Sequence, residues 1–432
     1  MSAGSIIKRE GARGTSYLIK YDAGHDPVTG KRLQRYATCT GTKREAQAEL
    51  RRLLGEVDTG QAVDPTKMTT GEWLQTWLRD HATPNVTQRS VEYYKMIIDT
   101  KLVPGIGHVP VQKLTGQTIQ ALYSKLMESG NIKNTKKAKS AGTETDESCG
   151  LAAQTVVHVH RTLFRALKIA TKQKVIVRNP AEDATPPSLK KARATSLDSE
   201  DSGQIKALER NEIKALFRSM KENPLLAMVV VATGTGARRG ELLALKWSDV
   251  DFSKRTLCIS KALEETAKFG VRIKPPKNES SRRTIVIDEG LCQILKAHRN
   301  RQEELATAMG VLCPADCLIF PCSIRRAPGR QPRTQKTEGL DFSRWESPNA
   351  VSKLFGRAAK DGGFPDLTMH DLRHTHATQL LQGGVPVHVV AQRLGHASPM
   401  VTMTVYAHVL KRADDQASQI AGEMIRQALG VG

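Results

Sequence analysis

The sequence predicts a mainly α-helical, multidomain protein with one small sheet near its N-terminus and another in its C-terminal half. Three observations carry that prediction. At 432 residues the chain exceeds what one ordinary domain holds. Apolar residues recur at helical spacing from Thr69 almost to the C-terminus. Apolar–polar alternation, the mark of a half-buried strand, is confined to residues 4–39 and 255–288.

Residues 1–62 read as a three-stranded β-sheet followed by a helix. GSIIKRE, GTSYLIKYD and GKRLQRYATC alternate, with Gly- and Asp-containing turns between them. TKREAQAELRRLLGEV then opens on Thr42, with Glu45 at capping-box spacing, and runs as a helix. The second strand-turn-strand unit is rich in Lys and Arg, which suits a DNA groove and equally a solvated basic face. Residues 66–182 read as a helical domain. TTGEWLQTWLRDH repeats the capping spacing with Thr69 and Glu72. SVEYYKMIIDTKL, TGQTIQALYSKLMES and TVVHVHRTLFRALKIATKQ continue the helical period. Between the last two, GNIKNTKKAKSAGTETDESCG is poor in apolar residues and reads as an insertion loop.

Residues 183–204, polar and basic, read as a linker. Residues 205–432 form an α-helical domain with a small three-stranded antiparallel sheet. ALERNEIKALFRSM and the apolar run Leu225–Ala232 come first. RTLCISKA, KFGVRIK and RRTIVID are the three expected strands. LCQILKAHRNRQEEL, SPNAVSKLFGRAAK, MHDLRHTHATQLL, VHVVAQRL and DDQASQIAGEMIRQAL follow as helices.

The composition narrows the function. Lys and Arg number 65 against 44 Asp and Glu, a net charge of +21, so an anionic partner such as nucleic acid is expected. No apolar run reaches membrane-spanning length, and MSAGSIIKREGARG lacks the apolar core of a secretory signal. Seven cysteines without framework spacing suggest reduced thiols in a cytoplasm. Cys313, Cys317 and Cys322 cluster but lack a tight pair and a fourth ligand, so no zinc site is expected there.

TGTGARRGELLALKW, Thr233–Trp247, follows an apolar run and holds three glycines in seven residues. A dinucleotide fingerprint needs its third glycine at 239, where Arg239 stands instead, and no Gly-Lys-Ser/Thr loop occurs in the chain. What remains is a turn into a helix with Arg238 in its first turn. Arg238 can meet a phosphate there, or pair with Glu241 or Asp249. In MHDLRHTHAT, His370 and Arg373 share a helix face. His370 and His374 resemble zinc-protease spacing, but Asp371 is a short base and Arg373 would repel a cation. An Arg beside a His suits an anion. His396 in LGHASPMVTMTVY precedes Tyr406 by ten residues, and Lys277 sits in a polar turn of IKPPKNESSRRTIVI.

In this order, Arg238, Lys277, His370-x-x-Arg373, Gly395-His396 and Tyr406 resemble the tyrosine recombinase family, the phage integrases. TGARRGELLALKW, HDLRHTHAT and LGHASPMVTMTVY look like its three signature boxes. GIGHVPVQKLTGQTIQALY resembles its SAM-like core-binding domain, and the N-terminal sheet plus helix resembles the arm-binding domain of temperate-phage and conjugative-element integrases. Two features depart from the pattern. Residues 131–150 and 321–346 look like insertions, and many relatives have nine residues rather than ten between His396 and Tyr406.

The resemblance implies attack by the Tyr406 hydroxyl on a DNA phosphodiester, giving a 3′-phosphotyrosyl link with no ATP, metal or other cofactor. Arg238 and Arg373 would grip the phosphate oxygens. His396 would donate to the same oxygens. His370 would accept a proton or orient the phosphate, and Lys277 would protonate the departing 5′-oxygen. Glu241 and Asp371 would orient these groups. Lys190, Lys191, Arg193, Arg239, Arg282 and Arg283 would contact DNA. The implied partners are double-stranded DNA at core and arm sites and, on it, three further copies of the chain. A directionality (excision) factor and a host DNA-bending protein complete the set, with no membrane. A chromosome-dimer-resolving recombinase, a type IB topoisomerase and a catalytically silent DNA-binding regulator are the alternatives.

Overall fold

The computed structural model describes residues 4–11, 14–25, 30, 32–58, 63–129, 150–188, 207–274, 282–324, 339–406 and 413–429. The chain divides into two units, 1–202 and 203–432. The insertion read at 131–150, Gly150 apart, and the linker residues Lys190, Lys191 and Arg193 lie outside the described residues.

The first unit holds two cores. β1 (Gly4–Gly11), β2 (Gly14–His25) and β3 (Arg32–Thr40) pair antiparallel in that order, setting Ile6 opposite Ile19 and Ile19 opposite Ala37. Because side chains alternate, these three residues share one face, and α1 (Lys43–Asp58) covers it with Ala46, Leu50 and Leu54. The Thr42 amide donates to Glu45 at 2.8 Å, and the Glu45 amide returns to Thr42 Oγ1 at 3.3 Å. On the opposite face Ile7 and Tyr36 are exposed, and the Lys20 ammonium stands 5.9 Å from the Tyr36 ring centroid.

The second core belongs to α2 (Thr70–Thr76), α3 (Gln88–Ile97), α4 (Gly116–Ser129) and α5 (Ala153–Lys172). Trp73, Trp77, Ile97, Ile119, Tyr123, Val156 and Leu163 fill it, and the Trp73 indole donates to the Ala166 carbonyl at 3.0 Å. The capping box at Thr69 and Glu72 is formed.

The second unit begins with α6 (Arg210–Ser219), the apolar α7 (Leu226–Thr235) and one short turn, α8 (Arg239–Leu242). Its strands do not pair as the alternation suggests. β4 (Val250–Asp251), β5 (Thr256–Ile259) and β8 (Arg283–Val286) make a three-stranded antiparallel sheet. KFGVRIK instead forms a separate hairpin, β6 (Ala262–Thr266) with β7 (Gly270–Lys274). A cross-strand charge pair ties this hairpin together. Glu264 lies opposite Arg272, which donates to this nearly buried carboxylate from Nε and Nη2 at 2.9 and 2.8 Å. The connection containing Lys277 therefore links two different sheets.

Then come α9 (Glu289–Ala308), β9 (Pro321–Ile324) paired with β10 (Gly339–Trp345), and α10 (Pro348–Asp361). The segment read as an insertion, 321–346, thus contributes a strand pair in its described parts. α11 (Met369–Gln382), α12 (Val387–Leu394), α13 (Pro399–Val405) and α14 (Ala413–Leu429) complete the order. Val229, Val231, Leu242, Leu257, Ile285, Leu295, Phe355 and Leu372 centre the core. Among the described residues no helix is long and apolar enough to cross a membrane.

Candidate active site

The three glycines of TGTGARRGELL shape backbone rather than cradle a nucleotide. α7 ends at Gly236 with φ of 66°, a left-handed conformation that costs an ordinary residue ~1–2 kcal/mol. A Cβ there would stand 2.7 Å from His376 and 2.8 Å from Leu394. At Gly240 it would meet the Leu263 carbonyl oxygen at 2.5 Å, so α8 lies directly against β6. Arg238 is the residue before α8. Its amide donates to Glu241 Oε2 at 2.8 Å and its Nη1 to Oε1 at 3.0 Å, while Asp249 accepts from the Lys246 amide instead.

α11 brings the next groups. Thr368 caps it, accepting from the amides of His370 and Asp371, and the Asp371 carboxylate returns to the Thr368 amide and hydroxyl at 2.8 and 2.7 Å. Asp371 thus acts on the site through the helix terminus, not by holding a catalytic side chain. Arg373 is 3% exposed. Its Nη1 donates to the Gly236 carbonyl and its Nη2 to the Leu394 carbonyl, both at 2.7 Å. Those carbonyls end α7 and α12, where helices leave acceptors unpaired and carry partial negative charge, so two helix ends fix one guanidinium. Burial, and after it the charge of Arg238, pull Arg373 down to about 9, leaving it cationic at neutral pH.

Tyr406 follows α13 and is 1% exposed. Its hydroxyl lies 2.8 Å from His374 Nδ1, on the turn next to Arg373. Burial pushes the phenol up to about 12, with Arg373 pulling the other way. His396 Nδ1 meets the buried Thr402 hydroxyl at 2.7 Å. Burial, then Arg373 and Arg238, hold His396 at about 4, a neutral ring. His370 is exposed at the mouth of this cluster, its ring edge-on to that of His374 with centroids 4.6 Å apart. Partial burial of the ring and the charges of Arg373 and Arg238 lower it as well.

Five sequence-selected residues, Arg238, His370, Arg373, His396 and Tyr406, therefore gather in one cationic cluster. Lys277 lies outside the described residues. Arg283 does not offer its side chain to DNA. It is buried, and its Nη2 and Nη1 bind Glu241 at 2.7 and 3.2 Å while Nε donates to the Arg393 carbonyl at 2.7 Å. Its neighbour Arg282 is exposed, and Arg239 is half-buried against the Ser352 hydroxyl. Strand alternation could have sorted the pair, since Arg283 shares its face with Ile285 and Ile287. His374 was passed over as half of a metal-like spacing. Among the described residues no group of three or more His, Cys, Asp or Glu is arranged to hold a metal ion. The Sγ atoms of Cys313 and Cys317 lie 3.0 Å apart.

Residues 206–413 match the phage integrase family, and residues 69–127 match its N-terminal SAM-like domain. A protein described as tyrosine recombinase XerC-like, from Caldanaerobacter subterraneus subsp. tengcongensis, is 26% identical over 395 residues, covering 89% of this chain and 90% of that protein. The ICEBs1 integrase of Bacillus subtilis is 24% identical over 398 residues, covering 91% and 93%. The fold is similar to that of the Tn1549 transposon integrase, solved in complex with transposon right end DNA, with a TM-score of 0.58 at 18% identity over 82% of this chain and 100% of that one.

Proposed function

The chain belongs to the phage integrase family of tyrosine recombinases, and from that premise we propose how this site-specific recombinase breaks and rejoins the DNA of a mobile element. Tyr406 Oη attacks a backbone phosphorus. The Oη–P bond forms, the bond from phosphorus to the 5′-oxygen breaks, and a 3′-phosphotyrosyl link stores the energy for rejoining. Arg238 and Arg373 bind the non-bridging oxygens and stay charged throughout. His396 donates to the same oxygens, His370 orients the phosphate from the mouth of the site, and Lys277 gives the 5′-oxygen its proton. Glu241 holds Arg238 in place.

The observation that carries this reading is the burial of Tyr406 against the turn of α11 that bears Arg373. The test is a half-site duplex, cut from the junctions of the element carrying the gene and nicked so that the cleaved end diffuses away. The wild-type chain should trap a covalent adduct. Tyr406→Phe should trap none and still bind DNA to within a few-fold. An adduct in that variant refutes the nucleophile.

The exposed face of the N-terminal sheet, with Ile7, Lys20 and Tyr36, supports arm-site binding by residues 1–62. Residues 66–182 and 205–432 hold the core site, joined by 183–204. Exposed Met424, Ile425 and Leu429 on α14 support packing on a neighbouring copy within a tetramer on DNA. We place this work in a bacterial cytoplasm, with a directionality factor and a DNA-bending protein as accessory partners. Chromosome-dimer resolution is the second reading, favoured by the XerC-like relative. Recombination between two plasmid-borne chromosomal terminus sites, with no element junction present, would select it.

A further inference from the structure

We propose that His374, and not His370, takes the proton from the Tyr406 hydroxyl as the phosphotyrosyl bond forms. The proposal rests on Tyr406 as nucleophile and deepens that reading. Among the described residues His374 is the phenol's hydrogen-bond partner, at 2.8 Å from Nδ1, with the two rings 5.7 Å apart at 59°. His370 is one helical turn away, exposed, and meets His374 edge-on rather than the phenol.

Charge leaves the ring free to accept. Burial first, then His370 and Arg373, keep His374 at about 4, so the ring is neutral near pH 7. A neutral ring with its hydrogen on Nε2 accepts from the phenol at Nδ1, and that is the tautomer the proposal assigns. The phenol needs such an acceptor. With its pKa raised to about 12, unassisted ionisation at pH 7 would leave roughly one molecule in 10⁵ reactive.

The step balances. As Oη bonds phosphorus, the O–H bond breaks and its proton moves to Nδ1. The electron pair of the bond to the 5′-oxygen leaves with that oxygen, which takes a proton from Lys277. Rejoining reverses each transfer. The imidazolium formed on His374 faces Arg373, His370 and Asp371 from α11, and Tyr406 and His396 from the C-terminal segment. Burial and the charges of His370 and Arg373 disfavour that cation, and they outweigh Asp371, which favours it. An incoming phosphate dianion-like transition state reverses the balance, so His374 becomes basic only when there is a phosphorus to attack.

The test uses the full chain and the nicked half-site duplex, following single-turnover adduct formation for the wild type, His374→Ala, His374→Gln and His370→Ala. Gln keeps an acceptor for the phenol but cannot carry its proton. Both His374 variants should bind the duplex to within about threefold and form adduct at least about 100-fold more slowly. Added imidazole should restore His374→Ala at least about tenfold and leave His370→Ala and His374→Gln unmoved. Adduct formation by His374→Gln at the wild-type rate overturns the proposal, and so does a His374→Ala loss that imidazole does not restore. A wild-type chain that forms no adduct overturns the nucleophile assignment itself, and this proposal with it.

Discussion

Arg283 and Glu241 form an ion pair inside the second unit, at 8% and 5% exposure, with Nη2 to Oε2 at 2.7 Å and Nη1 to Oε1 at 3.2 Å. The same carboxylate holds Arg238. Arg283 also reaches the Arg393 carbonyl, and it passes so close to Gly395, at φ 67°, that a Cβ there would stand 2.9 Å from Nη1. One buried anion therefore joins β8, α8 and the end of α12, and it sets the posture of Arg238 at the same time.

Glu241→Gln should show what that anion does. Burial alone would raise this carboxyl, but the bond and charge of Arg283, with Arg238, hold it below its ordinary value. Losing the charge strands Arg283 in the interior, a situation that costs about 3 kcal/mol or more. Urea unfolding of the second unit should register the loss at pH 7. The carboxyl is depressed in the folded state, so its contribution is complete above about pH 4.3 and fades as pH falls through the folded value. The gap between wild type and variant should narrow there, and a gap independent of pH would contradict the pairing.

His376 predicts a second acid sensitivity at higher pH. It is 7% exposed, its Nδ1 donates to the Thr233 carbonyl at 2.8 Å, and its Nε2 accepts from Arg393 Nε at 3.1 Å. Both nitrogens are committed to a neutral ring, and burial, then Arg393, holds it at about 4. The unfolded chain binds a proton near pH 6.5, so stability is full above that value and declines as pH falls toward 4. The decline should reach roughly 3 kcal/mol for this residue alone. His376→Gln should flatten that part of a plot of urea midpoint against pH.

Gly236→Ala should damage catalysis more than folding. The left-handed backbone and the contacts with His376 and Leu394 together should cost about 2 kcal/mol or more. Gly236 also supplies the carbonyl that anchors Arg373. Adduct formation measured well below the melting temperature should therefore fall by a larger factor than the unfolded fraction accounts for. A loss fully explained by unfolding would mean that the carbonyl tolerates the shift.

Local chemistry was legible in the sequence and long-range pairing was not. The boxes around Arg238, Arg373 and Tyr406 could be read because each sits on a cap or turn that neighbours dictate, as Thr368 and Asp371 do for α11. The β6–β7 hairpin could not, since Glu264 and Arg272 satisfy each other only once the register is known. The role of Arg283 was hidden for the same reason: its partner lies 42 residues earlier. His374 needed the position of the Tyr406 ring, which the order of residues does not contain.

Adjacent Arg282 and Arg283 should behave oppositely on DNA. Arg282 is exposed, whereas Arg283 is spent on Glu241 and a carbonyl. The chain carries a net charge of +21, so its grip should be largely on phosphates, and affinity should fall by about 0.9 log units per log of salt for each phosphate neutralised. Arg282→Ala should reduce that slope by about one phosphate and weaken binding alike on any sequence. Arg283→Met should leave the slope unchanged and lower the stability of the second unit instead. Titrations of half-site and unrelated duplexes over a range of salt, alongside urea unfolding, separate the two. An unchanged slope in Arg282→Ala would remove that residue from the DNA-contacting surface, and a reduced slope in Arg283→Met would mean that the buried pair opens when DNA binds.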